Sequence, residues 1–130
     1  ALIGIRDIDA MERQICRDSG IRYYTMREID ERGMSAVINE AIHIVSQNTS
    51  GIHLSFDLDG VDPLFAPGVS TPVTGGITYR EAHLALEVLA DSAKLCGIDL
   101  VELNPTNDKE QQTPKLAIEL IASALGKQIL

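Results

Sequence analysis

Several features are missing from these 130 residues, and each absence narrows the possibilities. No apolar run approaches the length needed to span a bilayer, so an integral membrane helix is not expected. The first residues, Ala1–Ile5, lack the basic start and small-residue cleavage site of a signal peptide. They read instead as a buried strand, and no initiator Met precedes them. On this reading the chain is expected to be cut from something longer. Cysteine is nearly absent: Cys16 and Cys96 lie far apart in no ligand spacing, which fits a reduced, cytoplasmic protein with two ordinary thiols. Basic residues are outnumbered and the net charge is −8, so the surface repels phosphate backbones and nucleic acid is not an expected partner. There is no repeat, low-complexity tract or linker. What remains is an ordinary globular mixture, 45% hydrophobic and 23% charged, suited to a single domain over residues 1–130 with a core of its own.

Short apolar runs alternate with helical periodicity, the pattern of an α/β protein with a parallel sheet. Leu2–Ile5 is the first predicted strand. Asp9, with Glu12 three residues on, caps a helix over Ala10–Asp18 that closes at Gly20. Ile21–Tyr24 is a second strand. Thr25 and Glu28 form another capping box before a short helix ending near Gly33, and Ser35 opens a helix to about Gln47. Ile52–Leu58 is a third strand. A segment from Asp59 to Ile77 follows, with three prolines (Pro63, Pro67, Pro72) and four glycines (Gly60, Gly68, Gly75, Gly76). A loop this long in a compact domain is usually functional or disordered, and the prolines argue for a fixed path. Thr78 and Glu81 restart a helix reaching about Leu95, Ile98–Leu103 is a fourth strand, and Pro105–Gln112 is a polar loop. Thr113 caps a closing helix, with Pro114 at its first position and Gly126 near its end.

Three strands end in acids: the first runs into Asp7 and Asp9, the third into Asp57 and Asp59, the fourth into Glu102. In open parallel sheets ligands collect at the carboxyl ends of strands. Asp57 and Asp59, two apart on a strand, are expected to point to one face. Two adjacent carboxylates repel unless a proton or cation lies between them, and oxygen-only ligands suit Mg²⁺, Ca²⁺ or Mn²⁺. A lone D-x-D is more simply a turn cap; the ordered Pro/Gly loop behind this one favours a site.

That loop carries a resemblance. Ser55-Phe56-Asp57-Leu58-Asp59-Gly60-Val61-Asp62-Pro63, then Ala66-Pro67-Gly68, Thr71-Pro72, Gly75-Gly76 and Thr78-Tyr79-Arg80-Glu81, resembles a metal-binding signature of the ureohydrolases, the arginase–agmatinase family. Val101-Glu102-Leu103-Asn104-Pro105 matches as well, and Gly4-Ile5-Arg6-Asp7-Ile8-Asp9 with Glu12 is similar to the arginase segment that receives the substrate's amino-acid end.

The resemblance implies a three-layer αβα arginase-type fold, of which this chain is the C-terminal part. It implies hydrolysis of L-arginine to L-ornithine and urea with two Mn²⁺ ions, and a homo-oligomer to which this region contributes contacts. Asp57 matches a ligand bridging both metals and Asp59 a ligand to one. Glu102 matches the carboxylate that holds the guanidinium, a planar fork facing a planar fork. Thr71 matches a minor contact near that group, or serves the loop alone. Asp9 matches the acid receiving the α-amino group, with Glu12 assisting through water, although capping alone would account for both. Asp7 reads as a supporting or turn residue. Arg80 and Glu81 read as structural or as a subunit contact. His43, His53 and His83 lie in no ligand spacing and read as structural.

The family pattern also needs a Gly-Gly-Asp-His segment, an Asp-x-His-x-x-Asp segment and a histidine for proton transfer, and none occurs here. No proton-transfer residue is therefore assigned. With two of six metal ligands present, the chain alone is expected to be impaired or inactive, with an open sheet edge and exposed apolar surface. Agmatinase is the nearest alternative. A haloacid-dehalogenase-type phosphatase, with Asp57 as nucleophile and Asp59 as acid/base, explains Phe56–Val61 but neither the Pro/Gly loop nor the end of the fourth strand. A non-catalytic assembly fragment is the third reading.

Overall fold

The computed structural model describes residues 1–127. In chain order the elements are β1 (Leu2–Ile5), α1 (Ala10–Asp18), β2 (Tyr23–Thr25), α2 (Met26–Arg32), α3 (Met34–Val45), β3 (Ile52–Asp57), α4 (Tyr79–Asp91), β4 (Leu95–Val101) and α5 (Gln112–Ala124). Single 3₁₀ turns at Leu58–Gly60 and Pro105–Asn107 follow β3 and β4.

Helix starts were the most readable feature. Asp9, Thr25 and Thr78 each accept from the backbone three residues on, and Glu12, Glu28 and Glu81 each accept in return from the cap's own amide. Glu81 is therefore a capping residue. Its neighbour Arg80 reaches Glu87 on the helix surface.

Other boundaries moved, for identifiable reasons. Parallel pairing of Leu2 with Tyr23 and of Ile5 with Thr25 carries β2 past Tyr24, and leaves Ile21 outside it. Gly33, at φ +80°, both ends α2 and precedes α3, so that helix opens at the buried Met34 and not at Ser35. Helix α4 stops at Asp91, because Ala93 takes φ +53° and Leu95 is already paired with Ile52. Strand β4 thus starts three residues and ends two residues earlier than the periodicity predicts. It ends before Glu102, whose φ of +64° cannot continue a strand. Strand β3 stops at Asp57, with Leu58 in the turn beyond. Helix α5 begins at Gln112 behind two residues of positive φ, Glu110 and Gln111, so Thr113 lies inside it and is not its cap.

All strand pairing is parallel, β1 with β2 and β3 with β4. Among the described residues the two pairs do not hydrogen-bond to each other. One contiguous core joins them, built from Tyr24, Val37, Leu58, Val61, Leu86 and Leu120 with their neighbours. Each such buried side chain contributes about 1.5–3 kcal/mol. Helix α4 packs between α3 and α5. Leu54, Phe56, Ile98 and Leu100 turn toward this core, while His53, Ser55, Asp57 and Asp99 alternate onto a solvent-exposed face. Exposed apolar side chains include Leu2, Met11, Ile15 and Leu103. No helix among the described residues is long and apolar enough to cross a membrane.

Candidate active site

The acids at the ends of β3 and β4 meet. Asp57 is the last residue of β3, and the fully buried Leu58 anchors the turn that follows. The turn returns the Asp59 amide to Asp57 Oδ1 at 3.1 Å. Turn closure, and not strand alternation, is therefore what sets the two carboxylates side by side. Although Asp57 lies on the exposed face, partial desolvation of its carboxyl pushes it above its ordinary range; the Asp59 amide opposes this, and the charges of Asp59 and Glu102 reinforce it. Thr71, twelve residues beyond Asp59, donates its hydroxyl to Asp59 Oδ2 at 2.7 Å. Glu102 sits at the end of β4, beside β3, in a left-handed conformation that costs a non-glycine residue about 1–2 kcal/mol. Such strain is commonly retained where a side chain must be aimed.

Asp57, Asp59, Thr71 and Glu12 line one hollow of about 690 Å³, together with β1 and the segment after it. Glu12 Oε2 accepts from the Asp9 amide at 3.1 Å, and Asp9 Oδ1 accepts from the amides of Met11 and Glu12. Capping thus engages one oxygen of each carboxylate and leaves Asp9 Oδ2 and Glu12 Oε1 outside the box. Capping and ligand binding are compatible here. Asp9 itself is exposed, and Asp7 lines the hollow. A larger hollow, about 800 Å³, lies between Phe65, Tyr79 and α5; it mixes Lys109 and Lys115 with Glu110 and Glu119 and includes none of the converging acids. The smaller one is the functional candidate, because there Asp7, Glu12, Asp57 and Asp59 outnumber one cation, Arg6, whose guanidinium is engaged by backbone carbonyls.

Two residues that hold the site together were not singled out from the sequence. Asp62 accepts from the amides of Leu64, Gly75 and Gly76, which hold its carboxyl below the ordinary range against the effect of burial. A side chain on Gly76 would meet the Asp62 amide at 2.6 Å, so the two ends of the loop approach as only glycine permits. Arg6 reaches from the end of β1 to the carbonyls of Asp59, Gly60 and Val73. Farther along the loop, the buried Thr113 hydroxyl accepts from the Gly68 amide, and the Asn104 amide donates to the Gly68 carbonyl. The prolines alone do not fix the path; these long-range hydrogen bonds do. Both Arg6 and Asp62 stood in the quoted motifs, but apart from Leu64 their partners lie 13 to 67 residues away and leave no local signal.

The histidines lie elsewhere. His83 is buried against Ser123, His53 pairs with Asp99 on the exposed sheet face, and His43 contacts Gln47. Among the described residues, no group of three or more His, Cys, Asp and Glu side chains is arranged to hold a metal ion. Asp57 and Asp59 offer hard oxygen donors suited to a divalent cation, as two members of a set that needs more. Both cysteines are free thiols.

Comparison with known proteins agrees with this geometry. The family model described as the arginase family matches residues 1–126. An arginase of Brevibacillus brevis is 51% identical over 129 residues, covering 99% of this chain and 43% of the relative. The crystal structure of arginase from Bacillus subtilis superposes with a TM-score of 0.95 at 49% identity, covering 98% of this chain and 45% of that one. The native arginase of Bacillus caldovelox superposes with a TM-score of 0.96 at 46% identity, covering 99% of this chain and 43% of that one. The chain thus spans less than half the length of these relatives. Matched over residues 1–126 by the family model and superposing closely on these arginases, the chain belongs to the arginase family.

Proposed function

We propose that this chain forms the carboxylate half of an Mn²⁺-dependent arginase site, in an enzyme that hydrolyses L-arginine to L-ornithine and urea. The observation that carries the reading is the convergence of Asp57, Asp59 and Glu102 at the ends of two adjacent parallel strands, with Thr71 bonded to Asp59. Asp57 and Asp59 would hold the metal ions. The bound metals supply hydroxide at neutral pH by lowering the pKa of water. Glu102 pairs with the guanidinium and fixes its plane relative to the metal side. Thr71 orients Asp59. Asp9 and Glu12, with one carboxylate oxygen each outside the capping box, receive the α-amino group. An acidic hollow suits this doubly cationic end-to-end ligand.

The imidazole donors and the proton-transfer group come from outside these residues, in the same polypeptide or in a partner chain. Among the described residues each of β1 and β3 hydrogen-bonds a single neighbouring strand, so backbone edges are available for such a segment. A cytoplasmic homo-oligomer is the assembly that fits the free thiols and the exposed apolar residues.

The test combines this chain with the separately produced upstream part of the Bacillus subtilis arginase, in Mn²⁺, and compares L-arginine, agmatine and p-nitrophenyl phosphate. Urea and ornithine from L-arginine, lost in Asp57→Ala and Glu102→Ala, are expected. A preference for agmatine would move the activity to the decarboxylated substrate. Phosphatase activity dependent on Asp57 would overturn the reading, as would a stable complex that releases no urea.

A further inference from the structure

The two arms of the proposed site lie on separate parts of the fold. Asp9 and Glu12 belong to α1, immediately after β1, whereas Asp57, Asp59 and Thr71 belong to β3 and its loop. β1–β2 and β3–β4 do not pair. Among the described residues, the hydrogen bonds joining residues 1–25 to residues 51–127 are all made by Arg6. Its Nη2 donates to Asp59 O at 2.6 Å and to Val73 O at 2.7 Å, its Nε to Val73 O at 3.1 Å, and its Nη1 to Gly60 O at 3.4 Å. The Gly60 carbonyl also accepts from Ile77 N. The carbonyls of Asp59 and Val73 have no other donor among the described residues.

We propose that Arg6 is a positioning residue that sets the span between the amino-binding and guanidinium-binding arms, and so the length of substrate the site accepts. This rests on the arginase reading. One end of the Arg6 side chain is fixed to the backbone three residues before Asp9, and the other grips the carbonyl of Asp59 itself. A substrate bound at its α-amino group and at its guanidinium crosses this joint. Apolar packing of Ile77 against Gly4 also joins the two parts, but it lacks direction and permits sliding. The guanidinium is a rigid planar fork with five N–H donors and reaches three carbonyls at once. The ammonium of lysine is a point charge on a flexible stem and cannot hold the same register.

The first experiment measures kcat/KM for L-arginine and for L-homoarginine, one methylene longer, in the complemented enzyme. A site of fixed span distinguishes ligands differing by one methylene by about 10–200-fold. In Arg6→Lys that ratio is expected to fall about tenfold or more, and added methylguanidinium is expected to restore it in Arg6→Ala. The ratio does not depend on how much enzyme is folded, so a purely structural role would leave it unchanged. An unchanged ratio in both variants overturns the proposal.

The second experiment uses hydrogen exchange on the 130-residue chain itself. Arg6→Lys should lose protection at least about tenfold across residues 69–77 while the β3–β4 amides keep theirs. Unchanged loop protection overturns the clamp. Wild-type enzyme that turns over no arginine defeats the reading of function, and the exchange result still decides whether Arg6 joins the arms.

Discussion

Thr113→Val isolates what the buried hydroxyl does for the loop of the candidate site, because valine keeps the shape and removes the polar group. Thr113 is 0% exposed; its Oγ1 accepts from Gly68 N at 2.7 Å and donates to Asp108 Oδ1 at 2.8 Å. Gly68 cannot move aside easily, since even a Cβ there would lie 2.7 Å from Asp108 Cβ. The variant leaves the Gly68 amide without its partner, at about 1–3 kcal/mol. It also removes a hydroxyl bond to a carboxylate that water can partly replace, about 1 kcal/mol more. The expected loss is about 2–4 kcal/mol, read as a lower urea midpoint at constant slope. Thr113→Ser should lose only the methyl contribution, about 1 kcal/mol. Burial raises the Asp108 carboxyl, but the Thr113 hydroxyl and amide, with the Lys109 amide and the Lys115 charge, together hold it below 3.8. Its stabilisation is present above that value and is lost as pH falls through the folded-state value, so the gap between wild type and Thr113→Val should narrow in acid. A Thr113→Val midpoint matching Thr113→Ser at pH 7 would refute the reasoning.

Three further outcomes are expected. Glu102→Gly should be more stable than Glu102→Ala by about 1 kcal/mol in urea unfolding, because glycine removes the left-handed strain that alanine keeps; the reverse order contradicts it. Asp57→Asn should raise the thermal midpoint at pH 7 without metal, since it removes one of three converging charges and keeps an acceptor for the Asp59 amide; a lower midpoint contradicts it. His83 is held below 6.5 by burial and then by Arg80 and Lys127, against Glu119 and Glu87, and its Nε2 is buried without a partner among the described residues. The unfolded chain therefore binds the extra proton first, and stability should fall as pH drops below about 6.5. His83→Gln should flatten the pH 5–7 slope, and an unaltered slope would contradict this.

Local chemistry was legible and long-range chemistry was not. The three capping boxes need only a cap and an acid three residues later, so Asp9, Thr25 and Thr78 could be read directly. The paired aspartates at a strand end, followed by a Pro/Gly-rich segment, marked the candidate site. Boundaries failed where tertiary pairing decided: Leu95 reads as helix by periodicity, yet pairing with Ile52 and the left-handed Ala93 make it strand. Thr113 ahead of Pro114 has the pattern of a cap, but its partners are Gly68, 45 residues away, and Asp108. Arg6 carries no local mark at all, because its acceptors lie 53 to 67 residues on. The adjacency of Asp57 and Asp59 was foreseen on strand alternation and is produced by a turn.

Urea release from L-arginine in excess Mn²⁺, by the 130-residue chain alone and then mixed with the upstream part of a Bacillus arginase, tests the half-site directly. No urea above a metal-only blank is expected from the chain alone, and urea dependent on Asp57 from the mixture. Turnover by the chain alone, abolished in Asp57→Ala, would contradict the half-site, because these residues would then complete the metal centre without imidazole donors from elsewhere.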